Sequence, residues 1–164
     1  MRPAEARDLD AVASVYNEGI RERSATFETQ ERTSDDIRSW LAGPHPFLVA
    51  VRDGDDAVVV GWAHASAYRS RACYAGIGDF SVYVAALARG QGVGDALMRA
   101  FVPVCGAAGL WKLVSRVFPE NTASRALCAR HGFREVGTYE RHAKLDGAWR
   151  DVVIVERLLP ENLT

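Results

Sequence analysis

The sequence predicts an α/β fold: one mixed sheet with helices on both faces, in the order β-α-α-β-β-β-α-β-α-β-β. Three observations predict it. Short β-rich runs, some alternating apolar and polar residues, are interleaved with runs whose apolar residues recur every three and four positions. Glycine, proline and Asx clusters fall between these runs, where turns are needed. The chain of 164 residues is long enough for one continuous core and too short for two, so residues 1–164 read as one domain.

Met1 to Ala4 reads as a short first strand, and Asp8 as the cap of a helix carrying Leu9, Val12, Tyr16 and Ile20 on one stripe. The segment Arg21–Arg32 is a polar loop except for Phe27, either a lid on the core or a wall beside a ligand. Thr33-Ser34-Asp35-Asp36 has the form of a capping box and opens a helix with Ile37, Trp40 and Leu41 inward, ended by Gly43-Pro44. Phe47–Val51 and Ala57–Ala65 are strands joined by a hairpin across Arg52-Asp53-Gly54-Asp55. After the loop Tyr68–Ala72, Phe80, Val82 and Val84 alternate with Ser81 and Tyr83 in the strand the chain is organised around. The period then changes: Val93, Ala96, Leu97, Ala100, Phe101 and Val104 line one face of a helix that Pro103 should bend or end early. Leu110–Phe118 is the next strand, Pro119-Glu120-Asn121 opens a short helix through His131, and Gly132 stops it. Phe133–Arg141 and Arg150–Leu159 close the sheet, joined at Leu145-Asp146-Gly147, with Trp149 expected as a buried indole and Asp151 near its hairpin partner.

Composition excludes several function classes. A net charge of −1, with 25% charged residues, leaves no basic patch for nucleic acid. The N-terminus has no apolar core of a signal peptide and no run long enough to span a membrane, so a soluble, cytoplasmic protein is expected. Cys73, Cys105 and Cys128 have no zinc spacing, and neither do the histidines, so reduced thiols and no metal are expected.

Between the organising strand and its helix lies Arg89-Gly90-Gln91-Gly92-Val93-Gly94. Glycines there allow positive φ and bring bare backbone close to a ligand. The orphan N–H groups and positive dipole end of the helix suit a phosphate, and a pyrophosphate above all. A P-loop would need Gly-Lys-Ser/Thr, where Gly94-Asp95-Ala96 stands. A dinucleotide fold would need an acidic residue about twenty positions on, where Val114, Ser115 and Arg116 stand.

Arg89-x-x-Gly92-x-Gly94 after a strand resembles the acetyl-CoA loop of the GCN5-related N-acetyltransferases (GNAT). Nearly the whole chain is similar to the phosphinothricin acetyltransferase branch of that superfamily. The likeness is carried by Ala25-Thr26-Phe27-Glu28-Thr29, Tyr68-Arg69-Ser70-Arg71, Ser81-Val82-Tyr83-Val84, Phe118-Pro119-Glu120-Asn121 with Ser124, and Gly147-Ala148-Trp149-Arg150-Asp151-Val152. Within the branch, SRVFPEN, LCARHGF and LDGAWRDVVIVERLL resemble the arsinothricin N-acetyltransferases. The resemblance implies acetyl-CoA as cosubstrate, with its pyrophosphate held by Gly90, Gln91, Gly92, Val93, Gly94 and Asp95 after Arg89. It implies pantetheine along the backbone of Val82, Tyr83 and Val84, with Asn121 and Ser124 on the helix beside it; Asn121 also reads as an ordinary helix cap. A homodimer is implied as well.

Acetyl transfer to an amine needs a base, a polarised carbonyl and a departing thiolate. Asp79 stands at the position of the branch's glutamate base, one methylene shorter, and otherwise reads as a turn acceptor at a strand start. A strand N–H, that of Val82 or its neighbour, suits the carbonyl oxygen. Cys128 stands where many members carry a tyrosine that protonates the sulfur, and reads as packing. Arg69 and Arg71, two apart on an extended segment, point the same way and with Phe27 form the expected acceptor site for a carboxylate or tetrahedral oxyanion. The implied function is N-acetylation of a glutamate-like toxic amino acid, arsinothricin or phosphinothricin. The alternatives are a methionine sulfoximine/sulfone acetyltransferase and a coenzyme-binding sensor without turnover.

Overall fold

The structure is a computed structural model that describes residues 1–52 and 54–163; Asp53, in the expected hairpin turn, and Thr164 lie outside the described residues. Its strands are β1 (Arg2–Pro3), β2 (Phe47–Arg52), β3 (Asp55–Ala67), β4 (Ile77–Val84), β5 (Lys112–Val117), β6 (Arg134–Leu145) and β7 (Ala148–Leu158). Among the described residues they form one seven-stranded sheet in the order β1-β2-β3-β4-β5-β7-β6. Only β4 and β5 pair in parallel, as a strand–helix–strand crossover requires; the other pairings are antiparallel.

The two-residue alternation of the strands divides the core into two layers. Leu48, Ala50, Ala63, Ala65 and Phe80 face α4 (Val93–Ala107), where Leu97, Met98, Phe101 and Cys105 are sealed. Val49, Val59 and Trp62 face the other way, onto Leu9, Val12 and Val15 of α1 (Leu9–Glu22) and Ile37 of α2 (Ser34–Ile37). The approach of α1 is close at Gly19, where a Cβ would stand 2.7 Å from the Tyr83 ring. Tyr16, Trp62 and Tyr83 meet there with ring centroids 4.8–5.6 Å apart.

Four expectations are corrected. Asp8 stands at the N-cap position of α1, but its side chain makes no capping bond there: it ends a preceding 3₁₀ turn, Ala6–Asp8, where it accepts from the Glu5 N–H at 2.8 Å and takes a two-pronged ion pair from Arg2 at 2.7 and 2.8 Å. That pair keeps the buried Asp8 carboxyl below the usual carboxylate range and ties β1 to the helix. The second helix is broken at Arg38 into α2 and α3 (Ser39–Ala42). Pro103 does not end α4, which continues to Ala107; Pro103 and Arg99 are both exposed, so water can reach the carbonyl left without a donor. Trp149 is not buried. It is 55% exposed, with the Lys144 ammonium 5.0 Å from its ring. Asp151 accepts from the Arg141 N–H at 2.7 Å on the neighbouring strand of the hairpin.

Candidate active site

The glycine turn folds as its composition demands. Gly90 and Gly92 adopt φ of +74° and +82°, and at neither would a Cβ meet an atom within 4 Å, so the space over the turn is open. Gly92 precedes α4, leaving the first N–H groups of Val93, Gly94 and Asp95 at a positive helix end. The side chains around this turn are engaged elsewhere. Arg89 pairs with Glu22 at 2.8 and 2.9 Å and donates to the Val84 carbonyl at 3.0 Å, bolting the turn to α1 and β4. Gln91 donates to the Leu87 carbonyl at 2.8 Å. The Asp95 carboxylate is taken by His131 at 2.9 Å and Arg99 at 2.6 Å, and the His131 hydrogen bond foremost keeps its pKa low. What the turn offers a ligand is main chain.

The second element is a fork in the sheet. β4 bonds β5 only at Ile77↔Lys112, Gly78↔Leu113 and Asp79↔Val114, while its pairing with β3 continues to Val84. The Ala85 N–H donates to the Val60 carbonyl and the Tyr68 N–H to the Ile77 carbonyl. By antiparallel alternation the odd residues of β4 bond β3, and the Phe80 C=O, the N–H and C=O of Val82 and the Val84 N–H point into the fork, the Val84 C=O being held by Arg89. Tyr83 instead turns its main chain to β3 and its ring onto α1.

The fork holds a channel. An outer cavity of about 580 Å³ is lined by Val84, Arg89, Gly90, Gly92, Val93 and Gly94, and an inner one of about 80 Å³ by Ser81, Ser115, Arg116 and Cys128. Ala25, Val82, Tyr83, Asn121, Ser124 and Leu127 line both, so the two adjoin. The far wall is α5 (Thr122–Arg130). Asn121 caps it, accepting from the Ser124 N–H at 3.1 Å, and donates to the Ser24 carbonyl at 3.4 Å, holding the loop after α1 over the channel. Cys128 is buried, and that burial, with Glu135 adding to it, pushes its thiol up to about 11.

Where β4 and β5 part, Asp79 meets Arg116 at 2.5 Å. The Ser66 hydroxyl donates to the Asp79 carbonyl at 3.3 Å, fixing the strand there. Phe27 lies edge-on to Phe118 at 4.9 Å and, with Ile154, caps a small cluster of Phe118, Leu145 and Val152. This explains an aromatic residue in an otherwise polar loop. Arg69 and Arg71 lie on the exposed loop between β3 and β4. Arg69 stacks 5.1 Å from the Tyr68 ring centroid and 5.9 Å from that of Tyr74, and Arg71 precedes the 3₁₀ turn Ala72–Tyr74.

A backbone-lined fork leading from a glycine turn is the arrangement the sequence resemblance implies. Residues 12–133 match the family model described as "Acetyltransferase (GNAT) family". The chain belongs to this family. It is 35% identical to a phosphinothricin N-acetyltransferase of Streptomyces coelicolor over 164 residues, 97% of this chain and 95% of the relative. An L-methionine sulfoximine/L-methionine sulfone acetyltransferase of Pseudomonas paraeruginosa is 26% identical over 160 residues, covering 95% and 92%. Among solved structures, a phosphinothricin acetyltransferase from Sinorhizobium meliloti in complex with AcCoA superposes with a TM-score of 0.88 and 28% identity, over 96% of this chain and 86% of that one. The GNAT fold is thereby established, and this acetyltransferase uses acetyl-CoA as acetyl donor. Its own residues fit that donor: open space over Gly90 and Gly92 for a diphosphate, and an unpaired strand edge for an amide-bearing arm.

Three residues of the acetyltransferase's channel were given no role by sequence reasoning. Ser24 covers the channel and Ser115 lines it, but nothing in their type marks them. Arg116 did carry a signal: a lone charge in the apolar stretch Leu113–Phe118, on the opposite strand face from buried Leu113 and Val117.

Proposed function

We propose that this acetyltransferase caps the α-amine of a glutamate-like toxic amino acid, phosphinothricin or arsinothricin, in the cytoplasm, and so confers resistance to it. The observation that supports this best is the meeting of the two at the fork. Val82 lines the inner cavity together with Arg116, and Arg116 is paired with the carboxylate of Asp79, three residues before Val82 where β4 leaves β5.

Acetyl-CoA supplies the thioester carbonyl, laid along Phe80–Val84. The diphosphate rests on the amides of Gly90 to Asp95, with Arg89 bracing the turn and Gln91 closing it. Asn121 and Ser124 flank the arm. Asp79, directly or through one water, accepts the proton of the acceptor ammonium, and the freed amine forms its bond to the carbonyl carbon as the carbon–sulfur bond breaks, the extra proton left on nitrogen passing to the departing thiolate. The Val82 N–H, aimed into the fork, donates to the carbonyl oxygen as charge grows on it. Cys128 remains a neutral packing thiol, so the coenzyme thiolate leaves without a tyrosine. Phe27, on its Phe118 platform, forms the apolar wall of the acceptor site, and Arg69 and Arg71 at the open end meet the acid group of the acceptor side chain.

A methionine sulfoximine or sulfone acceptor is the second reading, favoured by the Pseudomonas paraeruginosa relative. Thiol release measured against a panel of L-phosphinothricin, arsinothricin, L-methionine sulfoximine and L-methionine sulfone decides between them. The largest kcat/KM is expected for one of the first two; tight acetyl-CoA binding with no release from any amine overturns catalysis altogether.

We also propose a homodimer. Every residue of β6 from Arg134 to His142 is exposed, β6 is a free sheet edge, and Val136, Tyr139 and Trp149 are large apolar side chains left in solvent on this ribbon. Sedimentation is expected to give twice the mass of one chain; a single-chain mass at high concentration contradicts it.

A further inference from the structure

We propose that Asp79 and Arg116 together read the head of the acceptor as a zwitterion, Arg116 taking its α-carboxylate and Asp79 its ammonium group. This rests on the amino-acid acetyltransferase function proposed above and adds to it a specificity residue on β5.

Along β5, Leu113 and Val117 are buried in the layer against α4, so Arg116 falls on the opposite face. Asp79 lies on that same face of β4, between core residues Gly78 and Phe80 that turn the other way. The two strands are bonded only as far as Asp79↔Val114, and the Arg116–Asp79 contact of 2.5 Å bridges the gap just beyond. Neither side chain is sealed: Arg116 is 38% exposed and Asp79 24%. Arg116 also lines the inner cavity with Ser81 and Val82, so the guanidinium side of the ion pair opens onto the chamber expected to hold the thioester carbonyl.

The neighbouring cations are committed elsewhere. Lys112, on the same face of β5, is held by Glu156 at 3.0 Å; Arg134 is bound to that same carboxylate, and Arg157 donates to the His131 carbonyl. Arg116 is paired with Asp79, the group proposed to receive the amine. A simple amine approaching Asp79 would have to displace a guanidinium and leave it without an anion. An α-amino acid brings an anion of its own on the adjacent carbon. Inserted between the two, it restores an alternating row of Asp79 carboxylate, ammonium, acceptor carboxylate and Arg116 guanidinium, in which every charge keeps an opposite neighbour. The planar guanidinium fork suits a carboxylate, and its long stem lets it follow the acceptor while the short Asp79 stays. Opposite Arg116 on β7 stands Ile154, part of the Phe27–Phe118 wall, which leaves an apolar surface beside the charged row for the acceptor side chain.

The test is calorimetric titration of the CoA-loaded protein with L-methionine sulfone and L-phosphinothricin and with their α-carboxamides, for wild type, Arg116→Met and Arg116→Lys. Wild type is expected to bind at least one acid more tightly than its amide by about 10- to 100-fold, the range of a hydrogen-bonded charge. Arg116→Met should erase that ratio by weakening the acid alone, Arg116→Lys should keep part of it, and CoA affinity, which reports an intact fold, should not change. An acid-to-amide ratio that survives in Arg116→Met, or acid and amide weakened alike, overturns the proposal. Wild type that binds neither acid overturns the acceptor as well. Wild type that acetylates either acid while Arg116→Met does so with unchanged kcat/KM overturns the role of the pair alone.

Discussion

The two ends of the channel are made of different material. At the proposed coenzyme end the groups offered to the ligand are main chain: the amides after Gly92, the unpaired edge of Val82 and the N–H of Val84. The side chains there, Arg89, Gln91 and Asp95, hold the scaffold to itself. At the proposed acceptor end the groups assigned the work are side chains gathered from remote places, Asp79 from β4, Arg116 from β5 and Phe27 from the loop after α1. A backbone site is indifferent to most substitutions provided the dihedral angles survive, whereas a side-chain site changes its substrate with one residue. The coenzyme end is therefore the conservative half of the design and the acceptor end the adjustable half.

Substitutions at each end should fail in different ways. The largest effect is expected for Asp79→Asn, which keeps shape and removes the base: kcat should fall by about 10²- to 10⁴-fold with unchanged acetyl-CoA affinity. Full activity would remove Asp79 from the chemistry and make the acceptor end passive. Next comes His64, on the acceptor side of β3, stacked on Trp40 at 4.8 Å. Burial, with His45 adding to it, pushes its pKa down to about 4. The folded state thus disfavours the proton, so this contribution to stability is complete above about 6.5 and is lost as pH falls toward 4. It amounts to roughly 3 kcal/mol at about 1.36 kcal/mol per pH unit. Urea melts at pH 7 and pH 4 should show a smaller acid loss in His64→Phe than in wild type; equal losses would deny that His64 stays neutral. Gly92→Ala should act at the other end alone. At φ +82° a Cβ costs about 1–2 kcal/mol; the free turn can relieve that by leaving this φ, and acetyl-CoA must restore it, so acetyl-CoA should bind about tenfold more weakly, with acceptor KM unmoved. The smallest effect belongs to Asn121, which serves both ends as cap and as clasp on the Ser24 carbonyl. Asn121→Ala should cost about 1 kcal/mol, a fall in Tm of roughly 2–4 °C, while raising the KM of both substrates.

The same division explains what the sequence disclosed. Gly90 and Gly92 were legible because positive φ leaves a mark in residue type, and the strand and helix flanking them because burial imposes periods of two and 3.6. The element order followed for the same reason. Asp8 and Trp149 misled because a local pattern does not say which neighbour arrives. Arg2 claimed the Asp8 carboxylate from six residues away, and the outer ribbon left the Trp149 indole without a cover. Phe27 was visible as an anomaly, but its platform Phe118 lies some ninety residues on, beyond any local rule. The Asp79–Arg116 pair is the clearest case of what local patterns leave out. Its members are 37 residues apart, and only the parallel register of β4 on β5, and the point at which it stops, brings them together.

That stopping point can be observed directly. Amide hydrogen exchange, read residue by residue with and without acetyl-CoA, should find the Tyr83 N–H already protected by its bond to β3, and the Val82 and Val84 N–H groups protected only when the coenzyme is added, together with those of Val93 and Gly94. Unchanged exchange at Val82 and Val84 under saturating acetyl-CoA, or protection confined to another surface, would contradict the account.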